Sequence, residues 1–206
     1  STMRALKLYS DFARVNIAAI INILRLGVPI ALNIAAEIMF FAIIPLMIAH
    51  LGSDVVGAHA IAINIDSLAF MVPLGVASAL TIKVAMAEGA GDPKLARRFC
   101  IVGYKMVFIL GLTTAALKIT LREDLAALFS ADPNVQLIAA NLFLFAAVLG
   151  SVDSLQMTAS GALRGYKDVR IPLLIQVVAF WVIAFPIAYS LALTDIWGEP
   201  MGVYGF

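Results

Sequence analysis

Charge is scarce in this chain. Only 13% of its 206 residues are Asp, Glu, Lys or Arg, against about 25% in an ordinary soluble domain. Apolar residues make up 63%, with a mean hydropathy of +1.01, which argues against a water-soluble fold. The formal net charge is +1, without the clustered basic excess a nucleic-acid binder uses to neutralise phosphates. A single cysteine, Cys100, rules out an internal disulfide and a thiolate metal cluster. No GxxxxGK[ST] loop, HExxH pair or credible Ser-His-Asp set is present, so ATP hydrolysis and enzymatic roles drop out and no cofactor is called for. The start, Ser1-Thr2-Met3-Arg4, lacks the apolar core and small-residue cleavage site of a secretory signal. Insertion would rely on later segments, and the chain is expected to begin within a longer protein.

What the sequence does contain is long apolar runs. A bilayer core of about 30 Å needs roughly 20 apolar residues in a helix rising about 1.5 Å per residue. Five segments meet that length: 27–49, 55–82, 99–117, 135–163 and 171–193. The fold class is therefore an all-α polytopic membrane protein. Gly, Pro and acidic residues punctuate the gaps, as in Leu51-Gly52-Ser53-Asp54, Gly89-Ala90-Gly91-Asp92-Pro93 and Ser130-Ala131-Asp132-Pro133-Asn134. In the last two, Asp-Pro suits a helix start, with Pro presetting φ.

Basic residues favour the cytoplasmic side, and here they alternate. Arg4, Lys7, Arg14 and Arg25 precede the first span; Lys83, Lys94, Arg97 and Arg98 lie between the second and third; Arg164, Lys167 and Arg170 lie between the fourth and fifth. The opposite side has no Lys or Arg in its first gap, then Lys118 and Arg122 offset by Glu123 and Asp124, and finally Asp195 and Glu199. This pattern puts the N-terminus in the cytoplasm and the C-terminal end outside. Residues 1–26 place Arg4, Lys7, Asp11, Arg14 and Arg25 along one stripe among Leu6, Leu8, Phe12, Ile17 and Ile21. That pattern predicts an amphipathic connector lying in the headgroup plane, its cations facing anionic membrane lipids, before a turn at Gly27 and Pro29. A solvated linker is the bland alternative.

An ionised group at the bilayer centre costs at least a few kcal/mol, so a buried acid needs a partner, water, a proton or a cation. Glu37 lies ten residues into the first span and Asp153 ten residues before the end of the fourth. Each is thus roughly 15 Å from the cytoplasmic boundary. Asp66 lies eleven residues into the second span, roughly 16 Å from the outer boundary. Lys105 and Lys118 are read as lying at opposite ends of the third span, leaving the acids without an internal counter-ion. Each acid is then a candidate to hold a proton or a cation such as Na⁺. Asn33 is one turn before Glu37, and Gln156, Met157 and Ser160 follow Asp153 at three, four and seven residues, completing a plausible cavity wall. His59, seven residues before Asp66, is an accessory candidate to donate to it or relay protons. The competing reading is that protonated acids only pin helices together.

The run from Leu26 to Phe206 resembles the C-terminal half of the multidrug and toxic compound extrusion (MATE) family, in its NorM-like bacterial branch. The matching stretches are Gly27-Val28-Pro29 with Glu37, Ala58-His59-Ala60-Ile61-Ala62-Ile63-Asn64 leading to Phe70-Met71-Val72-Pro73-Leu74-Gly75, Gly161-Ala162-Leu163-Arg164-Gly165-Tyr166-Lys167-Asp168, and Glu199-Pro200-Met201-Gly202. The resemblance implies twelve helices in two six-helix bundles, exchanging H⁺ or Na⁺ for amphipathic organic cations across a bacterial inner membrane by alternating access. The five spans here would be the seventh to eleventh, with residues 1–26 linking the bundles. A glutamate on the seventh and an aspartate on the tenth contribute to cation binding in such relatives, positions that Glu37 and Asp153 match. Some relatives carry a tyrosine one turn before that aspartate, where this chain has Leu149. The missing partners would be the first bundle and a final helix beyond Tyr204-Gly205-Phe206. Rival readings are a flippase of lipid-linked precursors with a related fold, a non-transporting membrane scaffold, and an ABC-type permease.

Overall fold

The computed structural model describes residues 16–194 and 201–205. Arg4, Lys7, Asp11 and Arg14 of the expected connector, and Asp195, Glu199 and Pro200 near the other end, lie outside the described residues. The described chain forms α1 (Ile17–Ile48), α2 (Ser53–Gly89), α3 (Pro93–Thr120), α4 (Arg122–Phe129), α5 (Pro133–Gly165), α6 (Arg170–Val177) and α7 (Phe185–Leu193), with α6 and α7 joined through a π-helical stretch, Val178–Ala184. Among the described residues there is no strand. Five helical segments are long and apolar enough to cross a membrane: Ile17–Leu51, Ser53–Gly89, Pro93–Thr120, Pro133–Gly165 and Arg170–Leu193. Side chains such as Leu46 and Leu68 point away from the protein at 76% and 75% exposure, as a lipid-covered surface requires.

The turn chemistry follows the sequence. Asp92 accepts from the Leu95 amide at 2.9 Å and Asp132 from the Asn134 amide at 2.8 Å, each just ahead of a proline that opens its helix. Gly52 and Gly91 turn the chain at φ of +110° and +70°, where a Cβ would be strained. The turn expected at Gly27 is not formed. Instead α1 starts at an Asn16 cap, whose Oδ1 accepts from the Ala19 amide at 3.2 Å, and runs unbroken through Gly27 and Pro29. A proline deprives one carbonyl of its partner without ending a helix whose neighbouring bonds have no water to replace them. At 32 residues, α1 is about 48 Å long, more than the roughly 30 Å a bilayer core requires. In the last span, Pro186 follows the π-helical stretch. There the Phe185 N–H bonds to the Phe180 carbonyl, five residues back rather than four.

The helices assemble through two kinds of contact. α5 lies against α2 and α3, and α2 against α3, with backbones brought together where side chains are missing. A Cβ on Gly161 would sit 2.6 Å from the Ala77 carbonyl oxygen, and one on Gly165 would sit 2.7 Å from Val84 Cβ. Thr81 Oγ1 uses this proximity to donate to the Gly161 carbonyl at 2.7 Å. Such close approach is how helices attract one another where lipid removes the hydrophobic drive. α1 instead pairs with α6 and the π-helical stretch, its Phe40 stacking on Phe180 with ring centroids 4.8 Å apart. One apolar cluster joins Phe40, Ile44 and Ile48 to Ala58, Ala126, Phe143 and Val203; a second joins Leu80, Val84, Ala96 and Ala162 at the opposite end. The polar residues of α1, α2 and α5 fall between the two clusters.

Candidate functional site in the membrane interior

Glu37, on α1, is half-buried, and its Oε2 accepts from Gln176 Nε2 on α6 at 3.2 Å. Gln176 is 1% exposed, and its Oε1 accepts in turn from Gln156 Nε2 on α5. Glu37, Gln176 and Gln156 therefore form one hydrogen-bonded chain across three helices. One turn from Glu37, Asn33 Oδ1 accepts from Arg164 Nη2 at 3.3 Å, so a second polar link joins α1 to α5. Asn33 Nδ2 and Gln156 Oε1 are buried without a hydrogen-bond partner, leaving one donor and one acceptor for water or an ion. Beside the chain, Trp181 Nε1 donates to the Ala36 carbonyl at 3.1 Å and fixes the π-helical stretch against the turn that carries Glu37.

Asp153 lies one turn from Gln156 on α5. Its electrostatic neighbours are Glu37 and, more weakly, Asp66. The acids expected to share a layer are thus brought within reach of one another's charge from α1, α2 and α5. Ser160, 4% exposed, and Met157, 6% exposed, are buried in α5. Leu149 points outward at 60% exposure. His59 is buried at 8% exposure, but no hydrogen bond joins it to Asp66; the expected relay between them is not formed.

The expectation that the acids lack an internal counter-ion is overturned at Asp66. Its place in the sequence puts Lys118 just beyond the outer end of the third span, yet α3 continues to Thr120, and the Lys118 side chain, 7% exposed, forms an ion pair with Asp66 Oδ1. Its ammonium also donates to the Ala146 carbonyl at 3.4 Å. The Cα–Cβ bond in a helix tilts toward the N-terminus, so a lysine near the last turn of α3 is aimed back into the protein. Gly150 makes room for the pair: a Cβ there would lie 3.1 Å from Asp66 Oδ1 and 3.2 Å from Lys118 Nζ.

Sequence reasoning also missed Gln176. Its signal was available, because an amide within the run from Ile171 to Leu193 breaks the same rule that singled out the acids. The donors in this layer are carboxylate and amide oxygens, a set suited to hard cations such as Na⁺. Among the described residues, no three His, Cys, Asp or Glu side chains are grouped so as to hold a metal ion by themselves.

The MatE family model matches residues 29–190, the stretch that contains every site residue named above. The chain is 40% identical over 205 residues to the multidrug resistance protein PmpM of Pseudomonas aeruginosa, covering all of this chain and 43% of that protein. It is 38% identical over 204 residues to the multidrug resistance protein NorM of Aliivibrio fischeri, covering 99% of this chain and 44% of the relative. Over 184 residues it is 44% identical to a probable multidrug resistance protein NorM of Chromobacterium violaceum, covering 89% and 39% respectively. The chain thus spans less than half the length of these relatives. With the match running through five membrane-length helices and the acids between them, the chain belongs to the MatE family.

Proposed function

We propose that this chain is the ion-coupling part of a secondary active multidrug exporter, in which Glu37 and Asp153 bind Na⁺ or H⁺ that moves inward as an organic cation leaves. The single observation behind this reading is the convergence of carboxylates from separate membrane-length helices in one polar layer, with the Glu37 carboxylate held by Gln176 at 3.2 Å. Neither carboxylate is ion-paired, although the charge of Arg164 reaches Glu37, and acids so placed in hydrocarbon become tolerable when a proton or cation joins them. The unpaired Gln156 Oε1 offers an oxygen donor nearby, and a bound Na⁺ would supply charge neutralisation. Ion and drug must prefer different conformations of the protein, because a ligand indifferent to two states shifts neither.

The alternating basic loops support an N-terminal side in the cytoplasm of a bacterial inner membrane. The lengths of the PmpM and NorM relatives support a working unit that includes a further bundle and a final helix. The test is ion-driven efflux of a fluorescent organic cation by the complete protein in membrane vesicles. Glu37→Gln with Asp153→Asn should abolish the ion dependence. Unaltered efflux would refute the assignment and leave the acids as packing groups of a scaffold.

A further inference from the structure

Three acids share the polar layer, but the structure treats them unequally. Glu37 is held by a neutral amide, with the charge of Arg164 near it but no ion pair formed, and Asp153 has no hydrogen bond among the described residues, whereas Asp66 is ion-paired with the ammonium of Lys118. The match is built in. Lys118 comes from α3, Asp66 from α2, and α5 faces them with Gly150, whose missing side chain leaves room for them to meet. The ammonium is tethered on a four-carbon stem, almost fully buried and further anchored on the Ala146 carbonyl. In form it is a cation already bound at one of three acidic positions.

We infer that Lys118 is a resident cation that occupies Asp66 and so limits the layer to two exchangeable positions, Glu37 and Asp153. The inference rests on the proposed role of those two acids. It assigns Lys118 a task that packing alone would not need, which is to set how many cations the site takes up. Removing the ammonium while leaving Asp66 should then open a third position to the coupling ion, because a carboxylate left alone in hydrocarbon recruits a proton or cation.

The test is site-resolved labelling of carboxyl groups by a hydrophobic carbodiimide in the complete protein, read by mass spectrometry with and without added Na⁺ or drug. In the wild type, Glu37 and Asp153 should label and be protected by ion or drug, while Asp66 stays unlabelled. In Lys118→Met, Asp66 labelling should rise about tenfold, the factor equivalent to about 1.4 kcal/mol of lost pairing. It should also become protectable over the same ion range as Glu37. Gly150→Val, which keeps both charges but fills the gap, should raise Asp66 labelling in the same way and serves if Lys118→Met does not fold. Lys118→Met with Asp66→Asn should restore the wild-type pattern at the other two acids. If Asp66 labels in the wild type as strongly as Glu37, or becomes reactive in the variants but indifferent to ions that protect Glu37, the resident-cation role is overturned and the pair is only a packing bond. If Glu37 and Asp153 themselves show no protection in the wild type, it is the proposed coupling site that fails.

Discussion

Gln176 on α6 donates to the Glu37 carboxylate on α1 at 3.2 Å while accepting from Gln156 on α5. A single buried amide therefore satisfies partners on both sides of the layer. Gln176→Leu would leave the carboxylate and the Gln156 amide unpaired in a buried site, at a cost of about 1–3 kcal/mol. Thermal unfolding of the detergent-solubilised protein should shift downward accordingly. Gln176→Glu, which adds an acid beside Glu37, should lower stability less when the coupling cation is in excess than when it is absent.

Trp181 reports on the same turn from the other side, since its indole N–H bonds to the Ala36 carbonyl next to Glu37. Ion binding at Glu37 that moves this turn is expected to change tryptophan emission. The change should vanish in Trp181→Phe while efflux persists. Identical ion-induced changes in wild type and variant would show that the turn does not respond.

The close approach of α5 to α2 leaves no volume at Gly161, where a Cβ would lie 2.6 Å from the Ala77 carbonyl oxygen. Gly161→Ala is expected to cost about 1–3 kcal/mol through overpacking and to weaken the bond from Thr81 to the Gly161 carbonyl. Gly75→Ala is the control, because nothing lies within 4 Å of its would-be Cβ. It should be neutral or raise stability by up to about 1 kcal/mol through helix propensity. Melting temperatures of the two variants, compared side by side, check the contrast.

Asn33 and Arg164 offer a test of pairing. Arg164→Met leaves Asn33 Oδ1 without its partner, in addition to the Nδ2 that already lacks one. Removing both polar groups with Asn33→Leu and Arg164→Met should therefore destabilise less than Arg164→Met alone, since an orphaned buried group costs more than an absent one. A double-mutant cycle on thermal stability measures the difference.

The spans were legible because lipid demands length and apolarity, and the helix starts because Asp-Pro caps work locally at Asp92 and Asp132. Rise per residue put Glu37 and Asp153 at one level, and the structure brings the two within reach of each other's charge. What was not legible depended on direction or on a partner from a distant helix. Lys118 sits near a span boundary in sequence, and only the backward tilt of its side chain takes it to Asp66. Gln176 stands alone in an apolar run, so nothing within its own helix announced Glu37 and Gln156 as partners. Gly27 and Pro29 read as a turn because both weaken helices in water, whereas α1 passes through them intact.

The two modes of helix contact carry a mechanical consequence. Where Gly161 and Gly165 let α5 meet the backbone of α2, neither helix can slide without collision, so α2 and α5 hold together as a block. The seam toward α1 and α6 is closed in the polar layer by amide and guanidinium bonds, which can be exchanged for water at little net cost. That seam is therefore the more yielding of the two, with Gln176 bridging it.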